Sequence, residues 1–346
     1  MHTKSILTLA GIAAFSAVAP QVSHAADLTE AYLPMFQPLP SEVRAPDNEL
    51  TEDKIALGRQ LFFDKRFSKN HDISCNSCHN VAKYGTDNAP TSSGHKGQHG
   101  GRSAPTVYHA ALHIAQFWDG RAPTVEEQAK GPVLNPIEMA MPDKETVLKV
   151  INSIPDYVAS FKKAFPGDAN PVNYDNFGKA IGAFERKLLT PSRWDDFLKG
   201  KKDALTEEER KGFNEFATVG CANCHNGVGV GGHLYQKLGL VKPWPNLKDN
   251  GRADITKNEQ EKHFFKVPSL RNITETGPFL HDGSVEKLGD MVKLMAEHQL
   301  GKTITDDQCS LIVTFLKSLK GNLPQDYIKE PTLPASTDAT PKPDPS

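Results

Sequence analysis

The chain has 346 residues and lacks several features that would assign it to a common class of protein. Its formal net charge is only -2, so the sequence offers no broad basic surface for nucleic acid. Beyond the N-terminal segment it has no run of about 20 apolar residues, so no membrane-spanning helix is predicted. Segments that alternate apolar and polar residues are also sparse, so few strands are expected. Helices joined by long irregular loops should therefore form most of the fold.

The N-terminus has the pattern of an export signal. Lys4 supplies a positive charge, residues 6–18 form an apolar run, and Ser23 and Ala25 are small residues at a suitable cleavage site. The apolar run is too short to span a bilayer comfortably, although a membrane anchor is the alternative interpretation. We therefore predict a signal peptide at residues 1–25 and a mature protein in the periplasm.

Cysteine is scarce, and its placement is informative. The chain has five cysteines, and four of them form two close pairs that are each followed by histidine. Cys-x-x-Cys-His is the attachment signature of c-type haem, in which two thiols form thioether bonds and the adjacent imidazole binds the iron. Disulfides, a redox-active pair or half of a zinc site are the alternatives. Two copies in one exported chain favour two haem c groups, with the attachment residues Cys75, Cys78, His79, Cys221, Cys224 and His225.

The segments before the two motifs resemble each other. Thr51 and Thr206 are each followed by acidic residues, which is typical of a helix N-terminus, and a glycine and apolar residues at helical spacing come next. This weak duplication predicts a mainly α fold of two cytochrome c-like haem domains. We place their boundaries at residues 26–190 and 191–325. The proline-rich tail at residues 326–346 is expected to be disordered.

Further helices are predicted from apolar periodicity. Their expected bounds are residues 142–153, 174–189, 285–298 and 306–319. The fifth cysteine, Cys309, lies on the last of these and is expected to be a small buried apolar residue.

The second ligand of each iron decides between electron transfer and catalysis. Two strong protein ligands give an electron-transfer haem, whereas a displaceable ligand allows peroxide to bind, and methionine raises the reduction potential relative to histidine. Met291 and Met295 both lie on the predicted helix that follows the second motif. Spacing alone leaves either of them as a ligand or as part of the core.

Several segments together resemble the bacterial di-haem cytochrome c peroxidases, in the order that this family shows and over roughly residues 50 to 320. They are residues 73–79, 103–107, 116–122, 131–139, 266–272, 277–284 and 295–301. The resemblance implies an N-terminal, low-potential haem at which peroxide reacts and a C-terminal, high-potential haem that accepts electrons.

The resemblance also implies roles for individual residues. His95 matches the histidine that binds the peroxidatic iron in the resting enzyme and leaves on activation, and it competes with His71, His99, His109 and His113 if the residues alone are considered. Met295, rather than Met291, matches the axial methionine of the high-potential haem. The remaining matches are Trp118 between the haems, Gln128 and Glu138 over the peroxide site, and His281 as a cofactor contact.

An interdomain calcium site is a further implication of the resemblance, with Ser103, Thr276 and Pro278 as its residues. Ser103 stands where the family often has an asparagine, and serine is a poorer calcium ligand. Gly97 likewise stands in the loop after His95 where a bulky aromatic residue is common, so this loop should pack differently.

The implied reaction is the reduction of hydrogen peroxide to water, with a small periplasmic cytochrome c or copper protein as electron donor. A homodimer is one oligomeric state that we consider. A relative that oxidises a protein substrate through high-valent haem is one alternative, although it has tyrosine at the position of Met295. A di-haem electron carrier with two permanently closed irons is the other. The sequence does not identify the donor.

Overall fold

A computed structural model of the protein describes residues 31–346. The predicted signal peptide at residues 1–25 lies outside this range. Among the described residues, no helix is both long and apolar enough to cross a membrane.

The fold is mainly helical, as predicted. The helices before residue 190 are α1 (Glu52–Phe63), α2 (Cys75–Cys78), α3 (Val125–Leu134), α4 (Lys144–Asn152), α5 (Pro155–Ala164) and α6 (Tyr174–Glu185). The later helices are α7 (Arg193–Leu198), α8 (Glu207–Val219), α9 (Ala253–Thr256), α10 (Leu288–Leu300), α11 (Asp306–Lys317) and α12 (Gln325–Ile328). Two short strands, β1 (Tyr235–Lys237) and β2 (Phe264–Lys266), pair antiparallel with Tyr235 opposite Lys266.

Both helices that precede the haem motifs begin where the sequence predicts. The Thr51 hydroxyl accepts a hydrogen bond of 3.3 Å from the backbone N–H of Lys54. The Thr206 hydroxyl accepts one of 3.2 Å from Glu209, whose carboxylate accepts from the Thr206 N–H at 2.9 Å. These side chains satisfy backbone donors that have no partner within the first turn of a helix.

A glycine at the corresponding place in each half allows two helices to touch. A Cβ atom at Gly58 would lie 1.8 Å from the carbonyl oxygen of Ala180 on α6, and one at Gly212 would lie 2.1 Å from that of Leu311 on α11. Helices α1 and α8 therefore pack against a later helix of the same half at backbone contact distance.

The apolar residues form two clusters, one for each haem motif. The first is built around α1, α3, α5 and α6, and the second around α7, α8 and α11. Residues near each end of the described chain pack against the other half. Phe36, near the start, packs with Trp194 in the second cluster, and Ile328, near the end, belongs to the first cluster. The clusters support two haem domains, and the boundary at residues 190 and 191 stays a prediction.

Helix α10 begins later than the sequence predicts. The sequence predicts a start at residue 285, but Val285 instead forms two backbone hydrogen bonds with Phe279, with N···O distances of 2.7 and 3.3 Å. The helix therefore begins at Leu288. Cys309 on α11 is buried, as expected, and its thiol donates to the carbonyl of Gly289.

The C-terminal tail at residues 326–346 differs from the disordered segment that its composition predicts. After α12 it has no regular secondary structure, yet it lies along the first half of the chain, with Thr340 only 5% exposed. Its backbone and side chains bond to residues far away in sequence, including Arg66 and Ser153. Composition describes the segment alone and cannot include such partners.

Candidate active site

A large apolar cavity surrounds the second haem motif. Cys221, Cys224 and His225 form part of its wall, and Met291 and Met295 enter from α10. The free space among its lining residues, including the open mouth, is about 1680 Å³. The motif follows directly after α8 because Gly220 ends that helix with a φ of 112°, a conformation that glycine adopts at little cost.

His225 has the electrostatic character of a metal-binding imidazole. Burial lowers its pKa to about 4, against the opposing effect of the Pro268 and Val230 carbonyls. The ring is therefore neutral near pH 7, which is the form that binds a metal ion. Gly231 allows this packing, because a Cβ atom there would lie 2.2 Å from the Pro268 carbonyl oxygen.

These residues fit a covalently attached haem. Two thiols at the required spacing, a neutral imidazole and two thioether side chains line one apolar cavity. The structure brings both Met291 and Met295 to the cavity, so the choice of Met295 as axial ligand stays a prediction.

The first haem motif lies on the short helix α2. Ser74 and Ser77 cap this helix, and burial lowers the pKa of the following His79. Burial also raises the pKa of the Cys78 thiol, against a hydrogen bond with Ser92, while the charges of Asp87 and Glu138 raise it further. Glu138 therefore lies within electrostatic reach of the first haem motif.

Glu138 lies in a second cavity, whose free space is about 630 Å³. The Asn135 side chain donates a hydrogen bond of 2.6 Å to its carboxylate. Burial raises the pKa of Glu138, and it outweighs the opposing effects of Asn135 and Arg121. Arg121 and Phe117 also line this cavity, whereas Gln128 is half-buried on α3 and is not among the lining residues.

His95 is brought next to Glu138 by the backbone. The His95 N–H donates to the Glu138 carbonyl at 2.8 Å. The preceding Gly94 permits the approach, since a Cβ atom there would lie 1.9 Å from the carbonyl oxygen of Ile137. The His95 side chain is buried, and its Nε2 atom lies 3.4 Å from the carbonyl oxygen of Ser346.

Trp118 lies next in the chain to a residue that both cavities share. Its neighbour Phe117 lines both, and Trp118 itself lines the larger one. The indole Nε1 donates a hydrogen bond of 2.9 Å to the Ser103 carbonyl. His281 is buried, lines the larger cavity, and stacks on Phe265 at a centroid distance of 4.4 Å.

The three residues expected at a calcium site, Ser103, Thr276 and Pro278, each line the larger cavity. The Ser103 N–H donates to the His281 carbonyl at 2.7 Å. Among residues 31–346, no group of three or more His, Cys, Asp or Glu side chains could hold a metal ion, so a calcium ion here would need hydroxyl, carbonyl and water oxygens.

Sequence reasoning missed a buried pair beside the second haem motif. Lys266 Nζ lies 2.9 Å from His113 Nδ1, and both residues line the larger cavity. Burial lowers the pKa of Lys266 to about 8. The sequence feature that could have indicated this pair is a lysine placed between the apolar residues Phe265 and Val267.

The chain was compared with characterised proteins. It is 44% identical over 316 residues to the cytochrome c551 peroxidase of Pseudomonas aeruginosa, covering 89% of this chain and 90% of that protein. It is 46% identical over 308 residues to the cytochrome c551 peroxidase of Nitrosomonas europaea, covering 88% and 90%. The chain belongs to the di-haem cytochrome c peroxidase family.

Two further comparisons agree with this membership. The family model for di-haem cytochrome c peroxidases matches residues 52–203 of this peroxidase. A solved MauG-like protein associated with microbial copper homeostasis superimposes with a TM-score of 0.74 at 28% identity, covering 85% of this chain and 97% of that one. As a di-haem cytochrome c peroxidase, the chain is an oxidoreductase with two haem c groups, one for each motif.

Proposed function

We propose that this peroxidase works in the periplasm and reduces hydrogen peroxide to two waters, using two protons and two electrons from a small cytochrome c or copper protein. The observation that carries the proposal is the difference between its two haem sites. The second site has thioether side chains on an apolar wall, whereas the first has a half-buried carboxylate and a buried histidine on a glycine-rich loop.

Electrons enter at the second haem site in this proposal. The thiols of Cys221 and Cys224 would hold a haem there, and His225 and Met295 are the side chains that would bind its iron. A methionine ligand raises the reduction potential, which suits a site that accepts electrons from a donor. Phe117 lines both cavities and Trp118 lines the larger one, which supports a short path to the first site. His281 lines the larger cavity as well and would contact the second haem.

Peroxide binds at the first haem site, where Cys75, Cys78 and His79 are the residues that would hold the haem. A haem held there would supply the redox chemistry of peroxide reduction. His95 would bind its iron at rest and would be withdrawn on activation. Glu138 moves a proton from one peroxide oxygen to the other, because its raised pKa makes proton exchange easier near neutral pH. Gln128 cannot titrate and would orient peroxide or water.

We propose a calcium ion at Ser103, Thr276 and Pro278, which line the same cavity. Metal analysis of the purified enzyme before and after chelation tests it. One calcium per chain, with loss of activity on chelation, is the expected result. A homodimer is a further proposal, which analytical ultracentrifugation of the holoenzyme tests.

The two rival functions make different predictions. A pure electron carrier keeps both irons closed and turns over no peroxide. A relative that oxidises a protein substrate has tyrosine in place of Met295. The glycine-rich loop at His95 argues against a pure electron carrier, because a ligand on such a loop can be withdrawn. Met295 argues against a relative that oxidises a protein substrate.

Turnover of the holoenzyme tests the proposal directly. Mass spectrometry should show two haem additions per mature chain. Peroxide should then be consumed with reduced cytochrome c, and faster by half-reduced than by fully oxidised enzyme if His95 must be withdrawn. Two haems without peroxide turnover in either state would leave only the electron carrier.

The role of His95 has its own test. His95→Gly should leave the first iron high-spin even in the fully oxidised enzyme, because the resting ligand is gone. Electron paramagnetic resonance of the oxidised protein measures this. An unchanged low-spin signal would exclude His95 as the resting ligand.

A further inference from the structure

The C-terminal tail follows a fixed path across the first half of the chain. The Gln60 side chain donates to the Thr332 carbonyl at 3.2 Å, and Arg66 donates to the Ser336 hydroxyl at 2.8 Å. Further along, the Thr337 hydroxyl donates to the Ser153 carbonyl at 2.7 Å. The tail is thus attached to α1 and to the residues that end α4.

The end of this path reaches the segments that carry the proposed catalytic residues. The Asp344 N–H donates to the Lys69 carbonyl at 2.9 Å, and Lys69 Nζ donates to the Ser346 carbonyl at 2.8 Å. The N–H of the same Lys69 donates at 2.8 Å to the carbonyl of Met139, the neighbour of Glu138. Lys69 therefore holds the tail beside the Glu138 segment.

The tail also reaches the His95 side chain. The Ser346 carbonyl oxygen lies 3.4 Å from His95 Nε2. A hydrogen bond and an iron–imidazole bond leave Nε2 in the same direction, so this oxygen lies where the nitrogen would face an iron. The Nε2 atom can have only one of these two partners at a time. The contact with the tail and iron binding through Nε2 therefore exclude each other.

We propose that the C-terminal tail holds His95 in its withdrawn position, with Ser346 as the positioning residue, and so favours the state of the enzyme that accepts peroxide. This inference rests on the proposed role of His95 as the resting ligand. The tail presents an alternative hydrogen-bond partner to His95, and Lys69 keeps that partner in place.

Two physical features favour control of His95 by the C-terminal tail. The tail contains Pro331, Pro334, Pro341, Pro343 and Pro345, and proline lowers the conformational entropy that is lost when a segment docks. The loop that bears His95 has little packing on its outer side, since a Cβ atom at Gly97 or Gly101 would meet no atom within 4 Å. The loop is held on its inner side by the backbone bond of His95 to Glu138, and on its outer side few contacts resist a movement of the His95 side chain.

The test compares three variants of the full-length holoenzyme. Lys69→Met keeps the length of the side chain and removes its bonds to Ser346 and Asp344. Thr340→Val keeps the shape of a buried residue and removes its hydrogen bond with Ser153. Lys342→Met makes the same chemical change at an exposed lysine of the tail and is the matched control.

The measured quantity is the ratio of low-spin to high-spin iron at the first haem site in half-reduced enzyme, by electron paramagnetic resonance. Loss of these tail contacts should raise this ratio by roughly 2- to 10-fold in Lys69→Met and in Thr340→Val, which is the effect of about one net hydrogen bond. Lys342→Met should match the parent enzyme. Unchanged ratios in both tail variants, with haem content intact, would overturn the proposal.

The double variant His95→Gly/Lys69→Met separates this inference from the proposed function. Its spectrum should equal that of His95→Gly alone, because the tail acts through His95. A further change in spin state would overturn the inference. If His95→Gly alone leaves the resting spectrum unchanged, the proposed ligand fails. If it gives a high-spin signal while Lys69→Met has no effect, only the role of the tail fails.

Discussion

At the scale of single residues, Glu138 is the group on which the proposed acid–base chemistry depends. It is half-buried, the partial loss of solvent raises its pKa, and it lies beside the segment that bears His95. Glu138→Gln keeps its shape and its contact with Asn135 but removes the exchangeable proton. The rate of peroxide cleavage should fall by at least ~100-fold, the lower end of the effect of a positioned acid or base.

Stopped-flow mixing of half-reduced enzyme with peroxide measures this step. Gln128→Leu is the comparison and should cost less, since Gln128 cannot titrate. Haem content and electron entry should be preserved in both variants. A near-normal rate in Glu138→Gln would transfer the proton role to another group, with a haem propionate or a water chain as the next candidates.

Two methionines on one helix allow a matched test of the electron-entry haem. Met295→His should keep the second iron six-coordinate but lower its reduction potential, because imidazole stabilises ferric iron more than a thioether does. Spectroelectrochemical titration measures the potential. Met291→His is the control, as Met291 lines the same cavity from the preceding turn of α10. The opposite pattern, with only Met291→His lowering the potential, would identify Met291 as the ligand.

At the scale of helices, each half depends on one glycine contact. An alanine at Gly58 or Gly212 would place its Cβ atom about 2 Å from a backbone oxygen of α6 or α11, so the helices would have to separate. Overpacking of this kind typically costs about 1–3 kcal/mol. Chemical denaturation of the holoenzyme should show this loss for Gly58→Ala and for Gly212→Ala.

Gly167→Ala is the matched control for these two changes. A Cβ atom at Gly167 would meet no atom within 4 Å. The unfolding free energy of the Gly167→Ala variant should therefore be unchanged or slightly raised. A loss in Gly167→Ala as large as in the other two would show that backbone freedom, and not helix contact, sets the cost.

At the scale of the whole molecule, Asp195 joins distant parts of the chain. Its carboxylate accepts two hydrogen bonds of 2.9 Å from Arg271, and further ones from the backbone of Leu39 and Ser192. Burial opposes the charge, but Arg271 and these hydrogen bonds still lower the pKa of Asp195. Because both side chains of the pair are fully buried, Arg271→Met would leave a buried charge without its partner.

The expected cost of Arg271→Met is roughly 3–5 kcal/mol of unfolding free energy, read from the shift of the denaturation midpoint at constant slope. Arg193→Met is the control, because Arg193 is half exposed in its ion pair with Glu209, and such pairs contribute roughly 0–1 kcal/mol. Equal losses in the two variants would refute a special contribution from the buried pair.

Local chemistry explains what the sequence determined by itself. The haem motifs are contiguous, because both thioether bonds and the proximal imidazole come from five successive residues, so Cys75–His79 and Cys221–His225 could be identified directly. The helix starts at Thr51 and Thr206 were also predictable, since a cap bonds to backbone only a few residues away. The mainly α character followed from the same local patterns.

The tertiary structure decided features whose partners are far apart in the chain. The tail appeared disordered by composition, but Arg66, Lys69 and Ser153 lie almost 200 residues or more before their tail partners. The Lys266–His113 pair and the meeting of His95 with Glu138 likewise depend on how distant segments pack. Such contacts carry no local signal, because the free energy that fixes them comes from burial and hydrogen bonds formed only when the whole chain has folded.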